Sequence, residues 1–591
     1  MQKTTQKRLG ASLAAAVAGL AAGANAAPPT IISYPTAISS DTIWGDIPDE
    51  AEIVLNGAIF VKGGATLTIL PGVIVRGQPR TAAPGATTVG VPGSLIVTQN
   101  GRLVAEGAAT SPITFTTAAV DNNGNGEPDD LDGNGFLDAY PGFDPASCPG
   151  ACTPDATPTY YDDDPLGDPL APISPAGREN VQLWGSVALL GNAPTNVGDE
   201  QGEGFGVRGV EGLAVPGFPV ADTLYGGLQP HDDSGSLKYV SIRHAGDEIG
   251  SGNELNGLTL AAVGDGTELE NIEIYCNFDD GIEWFGGTVN GRNLAVFFAG
   301  DDSFDADQGY TGVNQFLFTI QPFFQEAAGA SATAEWGSLS GDKLAELDGD
   351  DCGPDPGDFP NNCSTRASED GSTDEIGAPP APAWPLSNPA FYNVTAFGNN
   401  GVTHAGVAFP NLANTGIQFR HGFAGDVLNS IVMRAGSAAF VLDTGVNESV
   451  NGGLADAVDN VNNGLTRIVS TTMNGNAAAL AGALAPAVTN GDSYAASLGG
   501  GANVVNGAPF DGLVNSVVSF DPNGPGNSGR LSGGQATPID PRPAGPVGTT
   551  GATPAGGAAE SVSFRGAFDP TQPKLWTTGW TAMHAAGALA D

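Results

Sequence analysis

The chain has 591 residues, enough for several domains or one long solenoid, and its 65 acidic against 21 basic side chains give a formal charge of −44. Such a surface repels nucleic acid and anionic membranes and attracts cations. The 87 glycines and 44 prolines are about a fifth of the chain, short of a disordered composition, and a 40% hydrophobic content still supports a core.

Residues 1–26 read as a secretion signal: Lys3, Lys7 and Arg8 form a positive region, 9–22 is an apolar run, and Ala24-Asn25-Ala26 is a small-residue cleavage site. The apolar run is too short and alanine-rich to anchor in a membrane. No cysteine stands directly after the cleavage site to carry a lipid anchor, and no later stretch is long and apolar enough to span a bilayer, so the mature chain is expected to be exported without a transmembrane segment. Residues 27–324 read as repeated short strands. Those between 52 and 118, such as Leu67-Thr68-Ile69-Leu70 and Leu95-Ile96-Val97, are separated by Gly, Asn or Pro, as short parallel strands with tight corners require. An acidic, proline-rich insert occupies 121–180 and a second, rich in Asp, Ser and Pro, occupies 325–388. Strands resume over 389–445. Residues 446–556 are dominated by Ala, Gly and Asn, with a weak helical pattern at 477–487. Residues 557–591 regain aromatics, among them Phe564, Phe568, Trp576 and Trp580. The end of a solenoid must cover its open core, so this tail reads as a C-terminal cap, with a sugar-stacking site on the tryptophans as the alternative.

An internal repeat sets the fold class. Asn271-Ile272-Glu273-Ile274, Asp279-Asp280-Gly281-Ile282 and Gly287 recur 22 residues later as Asn293-Leu294-Ala295-Val296, Asp301-Asp302, Phe304 and Gly309. A third copy is expected to start at Asn314, with Phe316 and Phe318 in the apolar places. Asn393-Val394-Thr395-Ala396 and Gly416-Ile417-Gln418-Phe419 repeat the same phrases further on. A repeat of this length built from short alternating apolar runs predicts an all-β chain wound as a right-handed parallel β-helix, one coil per repeat.

Several phrases carry a resemblance. Leu67 to Gly72 (LTILPG), Leu183 to Gly191 (LWGSVALLG), Asp232 to Val240 (DDSGSLKYV), Asp279 to Gly287 (DDGIEWFGG) and the closing Gly566-Ala567-Phe568 with Trp576 to Thr581 (WTTGWT) resemble a family of exported bacterial β-helix surface proteins that includes a leptospiral outer-membrane lipoprotein. The resemblance implies a pectate-lyase-like solenoid, export from a Gram-negative cell to the outer-membrane surface, the medium or the periplasm, and association with an outer-membrane receptor. It implies no reaction. The lipidated cysteine of the leptospiral member is absent here, so that anchor does not carry over.

Two acidic constellations suggest metal. In the first, Asp121, Asn123, Asn125, Glu127, Asp129 and Asp132 surround Gly126, and a second frame overlaps it with Asp130, Asp132, Asn134 and Asp138. Calcium needs six to eight hard oxygens, and a glycine at the sixth place permits the sharp turn that wraps them round the ion. In the second, one coil of a β-helix stacks about 4.8 Å above the next. Asp279 would then lie under Asp301 and Asp280 under Asp302, with Glu283, Asp305 and Asp307 nearby. Two like charges at that spacing repel by roughly 3.5 kcal/mol at an effective dielectric of about 20. Either a cation bridges them, some protonate, or they cap turn amides. All-oxygen ligation favours Ca2+ over zinc or copper.

Cys148 with Cys152 and Cys352 with Cys363 are expected to form local disulfides, which leaves Cys276 as a buried thiol. The five histidines have no zinc spacing, and His231 reads as a turn residue. No nucleotide-binding or nucleophile-elbow motif occurs. The chain reads as a calcium-binding, non-catalytic surface or secreted protein that contacts a receptor, another surface protein or a polysaccharide. The alternative is a calcium-dependent polysaccharide lyase or glycoside hydrolase, for which Arg243 and Arg292 are the candidate bases.

Overall fold

The computed structural model describes residues 29–120, 181–321, 341–349, 387–442, 538–544 and 558–591 apart from short breaks, together with isolated strands between 461 and 516. The signal segment, the loop at 121–138 and both proposed cysteine pairs lie outside the described residues.

The described chain is a right-handed parallel β-helix. Most of its described strands belong to two parallel sheets, one of 17 strands that forms the flanks and one of 11 strands. A coil passes from one sheet to the other and returns one level higher. Ile282–Phe285 lies on Phe304–Asp307 with Ile282 opposite Phe304, a shift of 22 residues, and Glu268–Tyr275 lies on Asn290–Phe297 with the same shift. In the 11-stranded sheet alternate residues point inward. Val187, Leu258, Ile282 and Phe304 form one inward row, and Leu189, Leu260, Trp284 and Ala306 form the next. Each large side chain so buried contributes about 1.5–3 kcal/mol, and the rows give one continuous core along the axis.

The flank strands bend at a residue in the left-handed region. Tyr239, Asn271, Asn293, Phe316, Asn393 and Asn429 occupy successive levels with φ of 50°, 57°, 54°, 63°, 58° and 56°. Asparagine tolerates this conformation because its short amide bonds locally, and Asn293 Nδ2 donates to Asn271 Oδ1 at 3.1 Å. This is the physical content of the asparagine repeat. The third copy does not begin at Asn314. Leu294 pairs with Leu317, so this coil is one residue longer, Asn314 falls opposite Gly291, and Phe316 takes the bend. The Asn393 phrase is in register, since Leu317 pairs with Val394.

Lys343–Asp348, inside the stretch read as the second insert, is a strand of the 11-stranded sheet between Phe304–Asp307 and Thr415–Arg420. Parts of the Ala/Gly/Asn-rich stretch also continue both sheets, with Ala478–Ala481 on Ala438–Leu442 and Val504–Asn506 on Thr472–Asn474.

The C-terminal tail, expected to close an end, runs along the flank over many levels. Arg565 Nη1 donates to Thr472 Oγ1 at 3.0 Å, Gly566 N to the Asn429 carbonyl at 2.6 Å, and Ala567 N to Thr395 Oγ1 at 2.8 Å. Glu560 exchanges backbone bonds with the Gln315 amide at 2.7 and 2.8 Å, Trp580 meets Tyr239 edge-on at 5.7 Å, and Ala582 N donates to Glu273 at 2.8 Å. Gly566 is required where it sits: its φ is 81° and a Cβ would fall 2.6 Å from Thr395 Oγ1. Tail and flank together bury a second aromatic cluster that includes Phe297, Phe318, Phe397 and Phe568. Cys276 is buried and forms no disulfide, as expected.

Candidate metal centre

The repeated acidic pairs come together on the outer face of the 11-stranded sheet and at the corner that feeds it. Because inward and outward residues alternate, Ile282 and Trp284 enter the core while Glu283 stays outside, opposite Asp305, which is opposite Glu346, which is opposite Gln418. The corner residues stack as the spacing implied: Asp302 N donates to Asp280 Oδ1 at 2.9 Å, and Asp301 N to the Asp279 carbonyl at 3.5 Å.

Three carboxylate groups result: Asp279, Asp280 and Asp301; Asp280, Glu283 and Asp305; Asp302, Asp305 and Glu346. In each, one oxygen per residue lies within 4.8 Å of the others. Asp280 belongs to the first two groups and Asp305 to the last two. Asp307 stands apart, pairing with Phe285 in register and accepting from Gln308 N at 2.5 Å.

The electrostatics of the groups differ. Burial raises Asp280 well above the usual carboxylate range, and Asp279, Asp302, Glu283 and Asp301 push it further. Burial raises Asp305 likewise, reinforced by Asp280, Glu346 and Asp348. Burial would also raise Glu346, but Lys343 and Arg420 outweigh it and bring that carboxyl down to about 2. Lys343 Nζ sits 3.3 Å from Asp302 Oδ2 and 3.2 Å from Glu346 Oε2; Arg420 pairs with Glu346 and lies 3.7 Å from Asp348.

Lys343, Glu346, Asp348 and Arg420 were not read from the sequence as site residues, nor was Asn256, whose amide donates to Glu283. The signal was present. Ala345-Glu346-Leu347-Asp348 alternates apolar and acidic like Phe304-Asp305-Ala306-Asp307, but a long intervening segment hides the period. His231 is a turn residue, 83% exposed in its side chain and 2.7 Å from Asp265. Arg292 does not face the acidic rungs. It lies on the flank sheet, 2.9 Å from Glu560 and over the Phe316 ring. Arg243 is also on the flank, donating to Ser241 Oγ at 2.8 Å.

The donor set fits a hard cation. Every ligand-capable atom in the three groups is a carboxylate oxygen, and Asp305 Oδ1 is a buried oxygen that accepts no hydrogen bond. Clusters of buried acidic residues of this kind can bind a metal ion.

Among the described residues no helix is long and apolar enough to cross a membrane. No curated protein matches the chain. Among solved structures, the full-length tailspike protein 2 of Escherichia coli O157:H7 bacteriophage CAB120 is similar at 8% identity and a TM-score of 0.25, over 78% of this chain and 38% of that one. The chain thus spans well under half the length of that tailspike. Residues 168–338, which hold the Asp279 to Asp307 carboxylates, match a family model described as a pectate-lyase like beta helix domain. The coils continue on both sides of the matched segment, so the parallel β-helix is the architecture of the whole described chain.

Proposed function

We propose that this is an exported, calcium-binding β-helix that acts by binding rather than catalysis, a rigid scaffold presenting long inserts to a partner on a cell surface: an outer-membrane receptor, another surface protein or a polysaccharide. The signal-like N-terminus supports export, and inserts on a rigid scaffold are where recognition usually resides. The observation that carries the reading is the overlap of the three carboxylate groups. A divalent ion at the Asp279, Asp280, Asp301, Glu283 and Asp305 oxygens would offset the carboxylate repulsion that adds to burial in raising Asp280 and Asp305. Asp302 and Glu346 already have Lys343 for a partner. The loop at 121–138 would supply a separate calcium site.

Calorimetry of the mature protein tests this. Calcium at about 100 times its Kd should add about 2.7 kcal/mol to stability, and chelator should reverse the gain. Identical melting curves with and without calcium would refute the metal reading.

One observation favours a second reading. Neighbouring carboxylates with opposite shifts, Asp305 up and Glu346 down, are the arrangement that separates a general acid from a base. Reducing-sugar and unsaturated-uronate assays on a polysaccharide panel decide between the two. Turnover lost in Asp305→Asn would establish a hydrolase or lyase, and no turnover on any substrate supports binding.

A further inference from the structure

A half-open cleft of about 350 Å3 lies between the flank sheet and the C-terminal tail, on a different sheet from the carboxylate groups. That volume is at the lower end of the ~300–1,000 Å3 typical of small-molecule sites. Its floor is apolar and already ordered. Phe316 stacks on Phe564 with centroids 6.0 Å apart at 18°, and Phe568 stacks on Trp576 at 5.4 Å and 9°. Trp576 and Val562 are half-buried and so present surface to the cleft. Rings held by one another need no reordering when a ligand arrives.

The charges at the rim are not equally available. Arg292 Nη2 is 2.9 Å from Glu560 Oε2, so these two engage each other. Asp569 Oδ1 accepts from Thr571 N at 2.8 Å and Thr571 Oγ1 at 2.7 Å, and its Oδ2 from Gln572 Nε2 at 3.4 Å, which turns that carboxylate into its own loop. Lys574 is exposed and makes no salt bridge among the described residues. It acts on Asp591 only at a distance, and the Asp591 carboxylate is already 3.1 Å from His584 Nε2. Of the four charged side chains that line the cleft, Arg292, Glu560, Asp569 and Lys574, only Lys574 has no hydrogen bond or ion pair among the described residues, so an incoming anion meets an ammonium that gives up no other bond.

We propose that this cleft binds a small organic anion, with a flat apolar body against the aromatic floor and a carboxylate on Lys574. A neutral molecule of the same shape would leave the ammonium unused, and a cation would be repelled by it.

The test uses 2-naphthoate as probe on the whole mature protein, followed by isothermal titration calorimetry and tryptophan fluorescence. Expected are saturable one-to-one binding below about 1 mM, and binding about tenfold weaker for the neutral analogue 2-naphthylmethanol and for Lys574→Met. Val562→Trp, which fills the cleft, should abolish binding. Lys574 is on the surface, so Lys574→Met should keep the wild-type melting curve. The proposal is overturned if the wild type shows no saturable binding, or if Lys574→Met binds 2-naphthoate as tightly as the wild type.

Discussion

Asp280 is the residue on which the acidic corner turns, because two of the three carboxylate groups share it. Its folded-state pKa is raised by burial and by four neighbouring carboxylates, and that of Asp305 is raised similarly. A carboxyl raised on folding binds more protons in the native than in the unfolded chain. Its contribution is therefore favourable at low pH and declines as pH climbs from the unfolded value of about 3.9 through the raised one. With chelator present, the protein should melt higher at pH 5 than at pH 7.5, and Asp280→Asn should narrow that difference while raising metal-free stability at pH 7.5. Thermal melts over the pH series check both. The same substitution should erase most of the stabilisation by calcium at this corner. Glu346 has the opposite sign: held down to about 2, it stabilises above its unfolded value near 4.5 and that contribution is lost as pH falls towards 2. Lys343 explains the contrast, since its ammonium lies within 3.3 Å of both Asp302 and Glu346. Lys343→Met would leave two buried carboxylates without that partner and should cost about 3 kcal/mol in urea denaturation. Calcium should recover part of the loss by taking the vacated position.

At the scale of the strand, the bend residue makes the coil. Asn293 combines a φ of 54° with a bond to the amide of Asn271 on the next level. Asn293→Val would place a β-branched side chain in a conformation it avoids and delete that bond. A loss of about 2–3 kcal/mol follows, read as a lower urea midpoint with the circular dichroism of the native state unchanged. The same strands show what could be read from the sequence. Where a coil repeats at constant length, as from Asn271 to Phe304, asparagine, aliphatic and acidic positions all fell in register and the acidic stacking could be anticipated. Where one residue is added, the register was misread and Phe316 went unrecognised at the bend. Where a long segment separates adjacent coils, as between Ile320 and Lys343, the period vanishes although the pairing is direct. Lys343 and Arg420, the two cations of the site, were missed for that reason. The hydrophobic alternation encodes which way a side chain faces; only spatial adjacency reveals which charges meet.

For the molecule as a whole, the two sheets share one axial core and the tail binds the levels together from outside. Its contacts run from Thr472 to Tyr239 and Glu273, so it touches strands far apart in sequence. Removing residues 558–591 should uncover Phe297, Phe318, Ile320 and Phe397 as a continuous apolar strip. The truncated protein is expected to bind a hydrophobic dye strongly and to aggregate, while the intact protein binds little. The order of synthesis gives this arrangement a temporal consequence. Each coil can settle on its predecessor as it emerges, but the segment that shields the aromatic flank is translated after every coil it covers. The nascent solenoid therefore has one side bare, and its safe folding depends on keeping that side from neighbours until residues 558–591 arrive and fasten it.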